Sequence, residues 1–220
     1  MKVLVACEFS GIVRDAFAAK GHEAYSCDLL PTERPGNHIQ GDVEKILDGY
    51  WDFMIAFPPC THLAVSGAAW FEEKRKDGRQ QEGIDFFLAL AKAPIEKIAI
   101  ENPVGIMSKI YRKPDQVVHP YYFGDEARKK TCLWLKNLPR LYHLAEPSLF
   151  DHVVTHVGQG ASHEWLDKKT GKVKRMPLWY AQAKGFGGKA TEHFSKARSR
   201  TFQGTANAMA EQWGSNEVFT

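Results

Sequence analysis

Apolar residues in this chain fall in short unbroken runs separated by stretches of helical period. From Lys2 to Cys7 the run is continuous, as in a parallel strand buried on both faces. Phe9-Ser10-Gly11 interrupts it before Val13, Ala16 and Phe17 mark one face of a helix. Gly21 ends that helix, and Glu23 to Cys27 reads as a second strand closing on Asp28. Pro31 to Gly41 is a polar connection that ends in Gly41-Asp42-Val43. Trp51 to Ala56 predicts the next strand, and Thr61 to Gln81, with its charged run Glu72 to Arg79, predicts a mobile active-site loop. Ile84, Phe87, Leu88 and Ala91 give helical period to Gly83 to Lys92, Pro94 stops it, and Lys97 to Glu101 is again a strand. Lys130 to Leu135 predicts a later strand and Ala206 to Trp213 a short helix. The alternation specifies an α/β fold with a mainly parallel central sheet. The first strand, its glycine turn, helix, second strand and terminal Asp28 make a mononucleotide-binding unit, with the acid placed for ribose hydroxyls.

With 220 residues, 44% of them hydrophobic, the chain has enough material for one domain with a small appendage. No apolar run approaches the roughly 20 residues needed to cross a bilayer, so no membrane partner is expected. The start goes straight into a strand pattern without the zones of a signal peptide, which leads us to expect an intracellular, cytoplasmic protein. The net charge of +3 is unremarked until its distribution is seen: Lys168, Lys169, Lys172, Lys174, Arg175, Lys184, Lys189, Lys196, Arg198 and Arg200 crowd one late stretch, either a footprint for phosphates or a solvated loop. Trp165, Trp179, Tyr180 and Phe186 interleave with it, as stacking platforms for bases or as a small core. The chain divides accordingly into a catalytic and cofactor-binding core over 1–145, a small basic recognition segment over 146–199, and a C-terminal return to the core over 200–220. His152-x-x-x-His156, with His163 nearby, lacks cysteine or acidic partners in a clear pattern, and no metal is expected.

Cys7, Cys27 and Cys132 sit in apolar runs and read as core thiols, whereas Cys60 follows Pro58-Pro59 and precedes polar Thr61-His62. Glu101-Asn102-Pro103 ends another apolar run. A thiol and a carboxyl at one sheet edge suit addition to a pyrimidine. A thiolate adding at carbon 6 of cytosine makes carbon 5 an enamine nucleophile, and a carboxyl at N3 stabilises the adduct. Ligands of open α/β sheets bind beyond the carboxyl ends of the strands, where Phe9 to Gly11, Asp28, Cys60 and Glu101 all fall. Each residue also has a plainer reading: Cys60 as an inert strand-end thiol, Glu101 as a capping acid, Asp28 and Asp42 as solvated loop acids, Arg128 as a surface ion-pair partner.

Taken in order, these strings resemble the C5-cytosine DNA methyltransferases, and the resemblance runs from the first strand to the last helix. It implies a Rossmann-like S-adenosylmethionine-dependent methyltransferase fold. Phe9-Ser10-Gly11 is similar to the family's turn under the cofactor, Asp28 to its ribose-binding acid, and Asp42-Val43 to the pair that holds adenine. Pro58-Pro59-Cys60 resembles the nucleophile motif and Glu101-Asn102-Pro103 the motif whose glutamate contacts N3. Glu126-Ala127-Arg128-Lys129-Lys130 stands where the family has Gln-x-Arg-x-Arg, and Gly204-Thr205-Ala206-Asn207-Ala208 where its last motif returns to the cofactor. The resemblance implies catalytic roles for Cys60, Glu101 and Arg128. It implies cofactor binding by Phe9, Ser10, Gly11, Asp28, Asp42, Val43, Pro58 and Asn207, and substrate binding by Pro59, Thr61, Asn102 and Lys130. The chain departs from the family in having Val13-Arg14 where further glycines are usual, Thr61 after the nucleophile, and only about 146–199 for target recognition.

The implied reaction is methyl transfer from S-adenosylmethionine to carbon 5 of cytosine in DNA, the base being flipped from the stack. A small recognition segment offers little to offset flipping, so weak or short-site specificity on duplex DNA, or a preference for single strands, is expected. RNA or a free pyrimidine nucleotide as acceptor, another sulfonium as donor, and a noncatalytic nucleic-acid-binding module are the alternatives. Oligomeric state is not written in the sequence, and a viral self-protecting enzyme and a solitary bacterial methylase would read alike.

Overall fold

A computed structural model describes residues 1–145, 155–185 and 192–215. The chain clusters into two compact units, one of Met1–Val118, Lys130–Tyr142 and the chain from Ala206, the other of His119–Lys129 and His143–Thr205.

In the first unit the elements are β1 (Lys2–Ala6), α1 (Ile12–Ala19), β2 (Glu23–Asp28), β3 (His38–Gln40), β4 (Phe53–Ala56), α2 (Phe71–Lys76), α3 (Arg79–Lys92), β5 (Lys97–Pro103), α4 (Met107–Ile110), β6 (Gln116–Val118) and β7 (Thr131–Lys136). They build one seven-stranded sheet of order β3-β2-β1-β4-β5-β7-β6. Strands β3 to β5 in that order are parallel neighbours; β7 runs antiparallel to both β5 and β6. This is the mainly parallel Rossmann-like sheet expected from the sequence.

Period-2 alternation sends alternate residues of the buried strands to two cores. Leu4, Ala6, Met54, Ala56, Ile98 and Ile100 join Phe87 and Leu90 of α3 and Trp134 of β7, whose ring meets Phe87 edge-on at 5.2 Å. Elsewhere Phe53 meets Phe17 of α1 at 5.6 Å and Trp213 at 6.1 Å. Trp213 belongs to the last helix of the described residues, Gln203–Gly214.

Two details were not visible in the hydrophobic pattern. Within the polar connection Pro31 to Gly41, three residues form the edge strand β3, too short and too exposed to alternate detectably. The segment Thr61 to Gln81, read as a loop, holds a 3-10 turn over Val65–Trp70, then α2 and the start of α3. Its charged run covers α2 and the start of α3, with Lys76 and Glu72 paired at i,i+4 in solvent and Lys74 buried.

The second unit contains an antiparallel ribbon of β8 (Ser162–Leu166) and β9 (Val173–Pro177), followed by α5 (Leu178–Ala183) and α6 (Glu192–Ser199). The last helix, α7 (Gln203–Gly214), begins in this unit and ends in the first. Trp179 lies edge-on to Phe202 at 5.4 Å and Tyr180 to Phe194 at 5.1 Å, so these two late aromatics are small-core residues. Trp165 instead stacks on His163 within the ribbon. Phe186, Lys189 and His152 lie outside the described residues.

Candidate active site

The carboxyl ends of β1, β2, β4 and β5 lie side by side, which sets the candidate residues along one edge of the first unit. After β1 the chain turns sharply, with Cys7 at φ 59° and Gly11 at φ 73°. Between them Glu8, buried, accepts hydrogen bonds from the Val13 amide at 2.7 Å, the Arg14 amide at 3.2 Å and the Ser10 hydroxyl at 3.1 Å. A carboxyl thus occupies the N-terminus of α1, where unpaired amides and the helix dipole favour negative charge. Phe9, Ser10 and Gly11 are buried with it.

Glu8 was not singled out in the sequence; an acid directly after the first apolar strand was the available signal. Burial raises its pKa from the ordinary 4.5 against the opposing pull of its hydrogen bonds. Glu8→Ala should destabilise the fold by about 2–3 kcal/mol at pH 5, since three donors lose their acceptor. Because the folded-state pKa is raised, the stability Glu8 contributes is complete below 4.5 and is lost as pH climbs through the folded value. Urea titrations across that window should show a downward slope with rising pH in the wild type that Glu8→Gln lacks.

Arg14, on the first turn of α1, is 1% exposed. Its guanidinium donates to Ser26 Oγ at 3.2 Å, Thr32 Oγ1 at 3.3 Å and the Pro35 carbonyl at 2.9 Å, tying the connection after β2 to α1. The Glu33 amide also donates to the Phe9 carbonyl at 2.9 Å. The bulky turn after β1 is therefore a braced one.

Asp28, half-buried at the end of β2, accepts from the Leu30 amide at 2.9 Å, and burial raises its pKa. Asp42 accepts from the Glu44 amide at 3.0 Å and caps the 3-10 turn Val43–Ile46, with Val43 buried behind it. Both carboxylates act on the Cys27 thiol. Burial, then Asp28 and Asp42, push the Cys27 thiol up to about 11, and the same acids add to the burial that drives Cys7 higher still. Those thiols are thiol-form core residues.

Beyond β4, Pro58 is buried, Pro59 exposed and Cys60 half-buried. The Cys60 carbonyl accepts from the Leu63 amide at 3.0 Å and the Ala64 amide at 2.9 Å, closing a turn. Thr61 is exposed, and its carbonyl accepts from the buried Lys74 of α2 at 2.6 Å. On β5, Glu101 is half-buried and Asn102 buried. Asn102 Nδ2 donates to the Pro58 carbonyl at 2.9 Å, so the residue expected at the substrate ties the thiol strand to the acid strand. A second tie lies further on: Val65 donates to Val104 and Ile106 to Leu63, each at 3.0 Å. Gly105 permits that approach, because a Cβ there would lie 2.3 Å from the Leu63 carbonyl oxygen.

Lys130 is exposed immediately before β7, whose Thr131 and Cys132 pair with Pro103 and Asn102. Burial and Glu101 raise the Cys132 pKa while Lys130 lowers it, which places Glu101 and Lys130 around one thiol. Arg128 is exposed in the second unit. Asn207 is exposed on the first turns of α7. A groove of about 410 Å³ between α2, α3 and α4 is lined by Phe71, Arg75, Ile84 and Lys109 among others, and by none of these site residues. Among the described residues no group of three or more His, Cys, Asp or Glu could hold a metal, and no helix is long and apolar enough to cross a membrane.

No protein-family model matches the chain, and no curated protein does. A solved crystal structure, described as a candidate DNA modification methyltransferase encoded within a prophage of E. coli, matches with a TM-score of 0.45 and 16% sequence identity, over 89% of this chain and 68% of that one.

Proposed function

We propose that the protein methylates carbon 5 of cytosine in DNA through a covalent Cys60 adduct, with little or short sequence specificity. The observation that carries this reading is the pairing of Cys60 and Glu101 on adjacent parallel strand ends, held by the Asn102 to Pro58 hydrogen bond. Packing alone does not call for a half-buried thiol in the turn after β4 and a half-buried acid at the end of its neighbour β5.

In this reading Cys60 attacks carbon 6, forming a carbon–sulfur bond and pushing the ring electrons toward carbon 5. Glu101 hydrogen-bonds N3 and the exocyclic amine and stabilises the resulting enamine. Carbon 5 would then take the methyl group, the sulfonium donor leaving as a neutral thioether, and loss of the carbon 5 proton would expel Cys60 and restore the ring. Lys130 favours the Cys60 thiolate and a neighbouring phosphate, and Arg128 holds the base or phosphate.

The turn after β1 supports the cofactor. In dinucleotide-binding folds a ligand phosphate occupies the first helix N-terminus. Here Glu8 already fills that place, which disfavours a pyrophosphate and suits a nucleoside that carries none. S-adenosylmethionine fits this requirement and supplies an electrophilic methyl group. Asp28 would hold its ribose, Asp42 and Val43 its adenine, and the Phe9 to Gly11 turn, Pro58 and Asn207 the remainder. Asp28→Asn should weaken S-adenosylmethionine binding about tenfold by calorimetry, with the fold intact, through loss of a charged hydrogen bond.

The test of the reaction is trapping. DNA containing 5-fluorocytosine, incubated with the protein and S-adenosylmethionine, should yield a covalent complex, since fluorine blocks the final elimination. Absence of an adduct that depends on Cys60 would sink the reading for DNA. The same experiment on 5-fluorocytosine RNA and on the free nucleotide separates the other acceptors.

A further inference from the structure

The β8–β9 ribbon has an end unlike the rest of its surface. Leu166 and Val173 form its last cross-strand pair and are 62% and 60% exposed, two large apolar side chains side by side in water. Next to them on the same face Glu164 pairs with Arg175 at 2.7 Å. The other face carries the stacked His163 and Trp165 rings, both half-buried.

The turn beyond the pair is well defined. The Asp167 carbonyl accepts from Gly171 at 2.8 Å, the Asp167 side chain accepts from the Lys169 amide at 2.9 Å, and Gly171 takes φ +66°. Lys174 pairs with Asp167. With both acids of the ribbon occupied, Lys168, Lys169 and Lys172 at the tip make no ion pair among the described residues. A solvated tip would account for the lysines but not for the exposed apolar pair at their base.

We propose that this end of the ribbon is a wedge that opens duplex DNA, with Leu166 and Val173 entering between stacked base pairs and the three lysines gripping phosphates on either side. The proposal rests on DNA being the acceptor and names its form as duplex. A groove of B-DNA admits a two-stranded ribbon, and strands of five residues span about 16 Å, longer than the roughly 8.5 Å depth of the major groove. Leucine is among the apolar wedges that unstack base steps. An enzyme acting on a base within a duplex must meet the cost of unstacking it, which the wedge helps to offset.

The experiment uses the whole protein, a short duplex carrying 2-aminopurine beside a cytosine, and the corresponding single strand. Wild-type protein should raise 2-aminopurine fluorescence in the duplex. Leu166→Ser/Val173→Ser should abolish that rise and weaken duplex binding about tenfold, leaving single-strand binding unchanged. Lys168→Ala/Lys169→Ala/Lys172→Ala should lower the slope of log affinity against log salt by about 0.9 per lost phosphate contact. Undiminished fluorescence in the serine variant, equal losses on single and double strands, or a change of that variant from oligomer to monomer would each overturn the wedge. Trapping on single-stranded 5-fluorocytosine DNA reads the chemistry without any duplex to open, so the wedge can fail while the methyl-transfer chemistry stands, and the reverse.

Discussion

Cys60→Ser should lower methyl transfer to DNA by on the order of 10⁴-fold or more, with no covalent complex on 5-fluorocytosine DNA. A serine hydroxyl is almost entirely protonated near neutral pH and cannot add to carbon 6, whereas a thiol supplies some thiolate, more where a cation stands near. Without addition, carbon 5 never gains enamine character. The substitution replaces one half-buried polar side chain by another and leaves the Asn102 to Pro58 bond in place, so folding should be unaffected. Initial rates with labelled S-adenosylmethionine, together with circular dichroism, check both parts. A variant that kept a tenth of the wild-type rate would assign the reaction to another residue.

Glu101→Gln should lower the rate by roughly 10²- to 10⁴-fold, the range for loss of a positioned acid or base. Glutamine retains the shape and can still donate to N3, but it carries no charge and shares no proton with the ring. The loss should therefore fall on kcat, with the apparent affinity for DNA changed little. Single-turnover rates set beside binding isotherms separate the two. Asn102→Ala acts differently: it leaves the Pro58 carbonyl without its buried donor and should reduce stability as well as rate.

The sheet was legible because its strands are buried on both faces and therefore appear as unbroken apolar runs, as at Val3 to Ala6 and Phe53 to Ala56. The reversal of β7 was not, since an antiparallel strand buried like its neighbours has the same composition. Cys60 and Glu101 could be found because strand-end chemistry stands out against prolines and a closing apolar run. Glu8 and Arg14 could not be read in the same way. Their importance lies in burial, and a charged residue two or eight places after a strand looks like solvent-facing punctuation until its partners are known. Asn102 shows the same limit, since spacing placed it beside the substrate but did not reveal its bond to the thiol strand.

The double tie between the thiol turn and the acid strand, Asn102 to Pro58 and Leu63 to Ile106 across Gly105, also bears on how such a chain can diversify. Lengthening either segment by a residue would break the register of both ties, whereas the turn Asp167 to Lys172 ends in solvent and tolerates extra length. Length can therefore vary at the ribbon turn, while the segments 57–65 and 101–106 are fixed in length by their mutual ties.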